Sequence, residues 1–209
     1  GVTVSLSAAN ADSTPLTNGS GVNKVSLKET VLDNAVDIDL TGITVTAGSL
    51  SLVNTNGDAF FALNSLSTLR VNALQASGLE VVGSGSLIVN NLQAKADATF
   101  ANISVSTFNV FADLTKAFTF EGSLGRATTT LRAASAQNFT VKTDTLQGFG
   151  GSIVVADNVN LTTTADKIDQ IASAKISTTG SGKITLTDLS DGTDNDSQTD
   201  LSKIVGNVV

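Results

Sequence analysis

The chain has 209 residues, of which 41% are apolar and only 15% charged, and its formal net charge is −7. It contains no Cys, His, Trp, Tyr or Met, which excludes disulfides, thiolate metal sites and imidazole chemistry. Its 12 basic residues form no run, so the cationic track needed for nucleic acid or an anionic membrane surface is missing.

The length suits one large all-β domain or a slice of a longer repeat array. Gly1 and the absence of Met imply a processed product or an excised fragment. No segment reaches the roughly 18 apolar residues that span a bilayer, and none has the charged-then-apolar pattern of a signal peptide. An acidic surface suits either cations or simple solubility.

In chain order, residues 1–24 read as a leading strand and a linker. The segment from Asn10 to Lys24 holds the single proline, Pro15, among Ser, Thr, Asn and Gly. From Val25 to Thr187 short apolar alternations recur: Val36, Ile38, Leu40; Ile43, Val45; Leu50, Leu52; Leu69, Val71; Leu87, Val89; Ile103, Val105; Phe118, Phe120; Phe139, Val141; Ile153, Val155; Val159, Leu161. Period-two spacing in runs of a few residues predicts strands with one buried face. Leu69-Arg-Val-Asn-Ala-Leu-Gln-Ala is echoed 18 residues later by Leu87-Ile-Val-Asn-Asn-Leu-Gln-Ala, and more weakly from Phe108 and Phe139. Ala165–Lys175 is the one helix-like stretch, with Ile168, Ile171 and Ala172 on one face. Residues 188–209 form an acidic, turn-rich segment or cap.

Strand brevity and the echo together predict an all-β fold, a right-handed parallel β-helix (β-solenoid) with irregular coils of about 18–21 residues. Leu69, Val71, Leu87, Val89, Phe139 and Val141 are expected inside. Phe without Tyr or Trp fits a dry interior. A β-sandwich is the alternative, since it also shows many short strands between turns.

The densest acidic cluster is Asp188, Asp191, Asp194, Asp196 and Asp200. Oxygen-rich, Gly- and Asn-containing loops suit calcium, the cofactor expected here. The spacing misses the EF-hand pattern, because Thr199 and Val205 stand where Gly and Glu are needed, and a solvated loop is the other reading. Asp33, Asp37 and Asp39 could supply paired carboxylates for glycoside hydrolysis, or the outward polar face opposite Val36, Ile38 and Leu40. Nucleophile triads fail without His or Cys. Together with the missing Trp and Tyr, which sugar sites use for stacking, this predicts that the chain is not an enzyme. Gly83–Ser86 is a turn without the Lys-Thr of a phosphate loop. Sequons at Asn18, Asn102, Asn138, Asn160 and Asn195 are within what chance supplies in this composition. Thr44/Thr46, Thr143/Thr145 and Thr185/Thr187 are Thr-x-Thr pairs of the kind that ice-binding solenoids array, but at no constant period.

The Leu-x-Val-Asn-x-Leu-Gln-Ala echo, the Thr/Ala/Gly/Asn bias, the missing Cys and the Asp191-Gly-Thr-Asp194-Asn-Asp196 tail resemble the solenoid regions of bacterial surface-layer proteins and large repetitive adhesins. The resemblance implies an extracellular, cell-surface protein that self-assembles into a lattice or stalk, often with calcium. It departs from that pattern in lacking regular calcium repeats. The expected partners are copies of the chain itself and a cell-surface polysaccharide. The alternatives are an adhesin module holding a surface ligand and, below it, a polysaccharide-active β-helix.

Overall fold

The computed structural model describes residues 2–12, 22–33, 35–43, 52–54, 56–142, 146, 149–169, 171, 175–188 and 201–209. The elements run β1 (Val2–Leu6), α1 (Ala8–Ala11), β2 (Val22–Leu27), β3 (Val31–Leu32), β4 (Asp37–Asp39), β5 (Leu52–Val53), β6 (Phe60–Leu63) and β7 (Thr68–Asn72). They continue with α2 (Ala73–Ala76), β8 (Glu80–Asn90), β9 (Ile103–Leu114), β10 (Phe118–Phe120), β11 (Thr128–Ala133), β12 (Gln137–Val141) and β13 (Ser152–Val155). The chain ends with β14 (Val159–Thr163), α3 (Ala165–Asp169), β15 (Lys175–Thr178), β16 (Lys183–Leu186) and β17 (Ile204–Val205).

Pairings between these strands, among the described residues, are parallel. Parallel pairing of neighbouring coils excludes two face-to-face antiparallel sheets, and the chain is a β-solenoid of about seven turns. Early coils lay down three short strands, as in β2–β3–β4 and β5–β6–β7. In β8 and β9 two of these merge into one long strand, with a register shift between Gly83 and Ser86. From β9 onward each coil contributes two strands. One joins the ten-stranded sheet that ends at β17, and the other joins β10-β12-β14-β16.

Alternation along each strand places one set of side chains inside, and parallel register stacks them. Val71, Val89, Val110, Thr129, Ile153, Ile176 and Ile204 form one continuous inward ladder. Phe118, Phe139, Leu161 and Ile184 form another, with the Phe118 and Phe139 rings 5.7 Å apart. Leu69, Val71, Leu87, Val89, Phe139 and Val141 are all buried.

The echo is a true coil repeat, since Leu69 pairs with Leu87 and Leu87 with Phe108, at intervals of 18 and 21 residues. Phe139 does not continue that ladder. It stacks on Phe118 in the other sheet. Coil length also runs beyond the expected 18–21 residues: Ile38 pairs with Leu69 and Ile176 with Ile204, 31 and 28 residues apart. Those intervals contain 44–51 and 189–200, outside the described residues. The expected strand positions at Val45 and Leu50 fall there too.

Corners are set by backbone proximity and by polar caps. Gly151 has no side chain because a Cβ there would lie 1.9 Å from the Ala127 carbonyl oxygen of the coil beneath. After β7 the echo's Asn72 and Gln75 form a capping box around α2. Gln75 is buried and donates through Nε2 to the Leu40 and Ile43 carbonyls, at 3.0 and 3.3 Å. The same letters one coil later, Leu92–Ala94, make a 3-10 turn after Asn91 at φ 55°. Helix α3 forms within the expected helical stretch, and Ile168 and Ile171 are buried. Ala172 lies outside the described residues.

Within the described strands, two inward positions break the apolar pattern. Thr129 and Thr163 are buried, and neither Oγ1 has a hydrogen-bond partner. An unpaired buried hydroxyl costs about 1–3 kcal/mol. Thr129→Val keeps the shape and restores an all-aliphatic ladder, so it is expected to raise stability by about 1 kcal/mol in denaturant unfolding. Val89→Asp, in the same ladder, places an unpaired carboxylate in the core. It is expected to lower stability by several kcal/mol, or to prevent folding, as read by circular dichroism.

Candidate functional site

The acidic candidates divide. Asp191, Asp194, Asp196 and Asp200 lie outside the described residues. Asp188 is described, and its Oδ1 accepts the Ala165 N–H at 2.6 Å. That N–H is one of the unpaired donors at the start of α3, where a carboxylate is favoured. Asp188 therefore ties the end of β16 to a helix in the coil before it.

The second acidic set is also built into the wall of the solenoid. Asp37 Oδ1 accepts from Arg70 Nε at 2.9 Å across the β4–β7 pair. Asp39 Oδ1 accepts from the Thr41 N–H and hydroxyl at 2.9 and 2.6 Å. The Asp33 carbonyl accepts from Asn64 Nδ2. Ile38, between the two strand aspartates, is fully buried. This is the outward polar face opposite an apolar one. Asp113 and Arg132 repeat the device on β9 and β11 at 2.8 Å, with the guanidinium 4.5 Å from the Phe111 ring centroid. Among the described residues no three Asp or Glu gather as a metal-holding group.

The outer face of β10-β12-β14-β16 carries an order that period counting misses. Thr119, Thr140, Thr162 and Thr185 stand side by side on successive strands. Beside them run Asn138, Asn160 and Lys183. Asn160 Nδ2 donates to Asn138 Oδ1 at 3.2 Å, and Thr185 Oγ1 donates to Asn160 Oδ1 at 2.8 Å. The sequons at Asn138 and Asn160 are thus two outward rungs flanking an inward Phe or Leu. Thr185 belongs to the threonine row, whereas Thr44/Thr46 and Thr143/Thr145 lie outside the described residues, as do Asn18 and Asn195. The signal was present in the sequence as an outward Thr between inward residues, but growing coil lengths hide it from a fixed period.

A groove of about 540 Å³ follows this face, between the Asn–Asn–Lys row and the turns that precede it. At one turn Ser181 donates its N–H and hydroxyl to Asp157 Oδ1 at 2.6 and 3.0 Å. The backbone N–H and then the hydroxyl of Ser181 hold the Asp157 carboxyl below its ordinary range. Gly180 above it has φ 55°, and a Cβ there would meet the same carboxylate.

The two ends of the solenoid differ. At the N-terminal end α1 buries Ala8 and Ala11. Asp12 bridges Ile38 of β4 antiparallel, and its carboxylate accepts the Asp37 N–H at 2.7 Å. At the C-terminal end β17 is the last strand of its sheet and Val208 bridges Ile184 of β16. Leu201, Val205, Val208 and Val209 are exposed there, by 40%, 58%, 40% and 66%.

Comparison with protein-family models, with curated proteins and with solved structures returns no match.

Asp188→Ala removes the acceptor of the Ala165 N–H and is expected to cost about 1 kcal/mol of stability in calcium-free buffer, while Asp188→Asn, which keeps an acceptor oxygen, costs less. Chemical denaturation with chelator present checks this. Equal stability of all three proteins would show that the contact contributes nothing.

Proposed function

We propose that the chain is a structural, self-assembling module of an extracellular surface, without catalytic activity, and that its coils extend end to end through a second copy. The observation that carries this reading is the exposed edge at β17, the last described strand of its sheet. A terminal parallel strand presents unpaired backbone groups that template further pairing. Solenoids that end in solution normally cover that edge with a polar cap. Among the described residues Leu201, Val205, Val208 and Val209 are exposed apolar side chains on the last coil.

The other end supplies a counterpart. β1 pairs only with β2 among the described strands, and no described strand occupies its second edge. Joining unlike ends is a heterologous contact, and when its rotation does not close it generates a filament. The low charge and cysteine-free composition support an extracellular setting. The ion-paired and turn-bound roles of Asp37 and Asp39 support a wall rather than a catalytic pair. Calcium held by the Asp188–Asp200 segment belongs to the same reading, since that segment leads directly into the last coil.

Sedimentation velocity over a concentration series tests the proposal, with calcium in one arm and chelator in the other. The chain is expected to associate with rising concentration, and more strongly with calcium. Val205→Lys with Val208→Lys puts two charges on the terminal rung and is expected to weaken association at least ~10-fold, since a buried unpaired charge costs more than the 1.4 kcal/mol that a factor of ten represents. A monomer throughout the series, or association unaffected by the double variant, would remove the β17 edge as an assembly surface.

A further inference from the structure

The groove along β12, β14 and β16 has a hydrogen-bonding polarity of its own. Its floor is the row Asn138, Asn160, Lys183, one residue per coil in register. Within that row the carbonyl oxygens are used: Asn138 Oδ1 accepts from Asn160, and Asn160 Oδ1 accepts from Thr185. Donors are left over. Among the described residues no acceptor meets Asn138 Nδ2 or Lys183 Nζ, and Asn160 Nδ2 has a second N–H beyond the one it gives to Asn138. No Asp or Glu side chain is among the groove's lining residues. Asp157, beside the lining residue Asn158, already receives the Ser181 N–H and hydroxyl.

Gln137 and Asn158 in the same lining give their amide N–H groups to Thr115, Ser135 and Ala133 and keep open carbonyl oxygens, but the strand row itself presents donors and an ammonium, which select a ligand rich in acceptors and carrying negative charge. Its repeat adds a length requirement. Donors recur at the spacing of parallel strands, about 4.8 Å, along the solenoid axis. A linear glycan advances by a similar step with each pyranose ring, so successive rings meet equivalent donors on successive coils. We propose that this groove binds a linear, carboxylate-bearing glycan laid along the axis, with Asn138 and Asn160 donating to its oxygens and Lys183 pairing with a carboxylate. The carboxylate matters because no Trp or Tyr offers a stacking surface, and charge-assisted hydrogen bonds are about twice as strong as neutral ones. The net charge of −7 opposes this only weakly, since exposed charges beyond about 8 Å are largely screened at physiological salt. Val209 of the last coil lines one end of this groove, so ligand binding is measured in dilute protein, apart from the concentration series that reads end-to-end assembly.

Isothermal titration with oligogalacturonate tests the inference, using its fully methyl-esterified form as a neutral ligand of the same backbone. The acid form is expected to bind with a Kd on the order of 1 mM or tighter, and the ester much more weakly. Lys183→Ala is expected to weaken binding about 10-fold, and Asn138→Asp, which adds a carboxylate to the floor, to abolish it. Lys175→Ala, a cation on β15 in the other sheet, should leave binding unchanged. Circular dichroism confirms that each variant is folded. No binding of the acid form, equal binding of the ester, or full affinity in folded Lys183→Ala would overturn the assignment.

Discussion

The rest of the structure depends on the register of the parallel backbone ladder between neighbouring coils. Once Leu69 is hydrogen-bonded opposite Leu87, every inward and outward position on those strands is assigned together, because side chains alternate with a period of two. A slip of β7 by one residue against β8 would turn Val71 outward and bring Arg70 in. The apolar ladders therefore fix the register, and the register aligns the polar rows outside. No single coil can bury its own interior, so the stability of each rung is shared with the rungs on either side.

The alternation of Val36-Ile38-Leu40, Leu69-Val71 and Phe139-Val141 made the inward set legible from the sequence, and the echo at Leu69 and Leu87 gave the coil repeat. Parallel stacking followed because short strands that recur at coil length must pair with their own neighbours. Coil length was less legible, since residues added at a corner change the interval without changing the register of the strands. That is why Phe139, spaced like an echo of Phe108, sits in the other sheet. Thr129 and Thr163 are polar, yet their neighbours in register are Val110, Ile153 and Leu186, and the ladder holds them inside with unpaired hydroxyls.

The polar surface was less legible for a different reason. Asp188 and Asp37 looked alike as acidic residues beside turns or strands. Their roles depend on which chain segment the coil places next to them, the α3 amide at Ala165 in one case and the Arg70 guanidinium in the other. The same holds for Asn138, Asn160 and Lys183, which are 22 and 23 residues apart and become a single row only through register. A chain of this kind spends its sequence information on the interior, and the register decides which polar residues align outside.

The proposed assembly continues coil stacking across chains at the exposed edge of β17. Amide hydrogen exchange followed against protein concentration tests it at the level of single rungs. Amides of β8 and β9, paired on both sides, should be protected at every concentration. Those of Ile204–Val209 and of Val2–Leu6 should exchange rapidly in dilute solution and gain protection together as concentration rises. Protection that stays flat at both ends, or that grows on the sheet faces instead, would contradict the account.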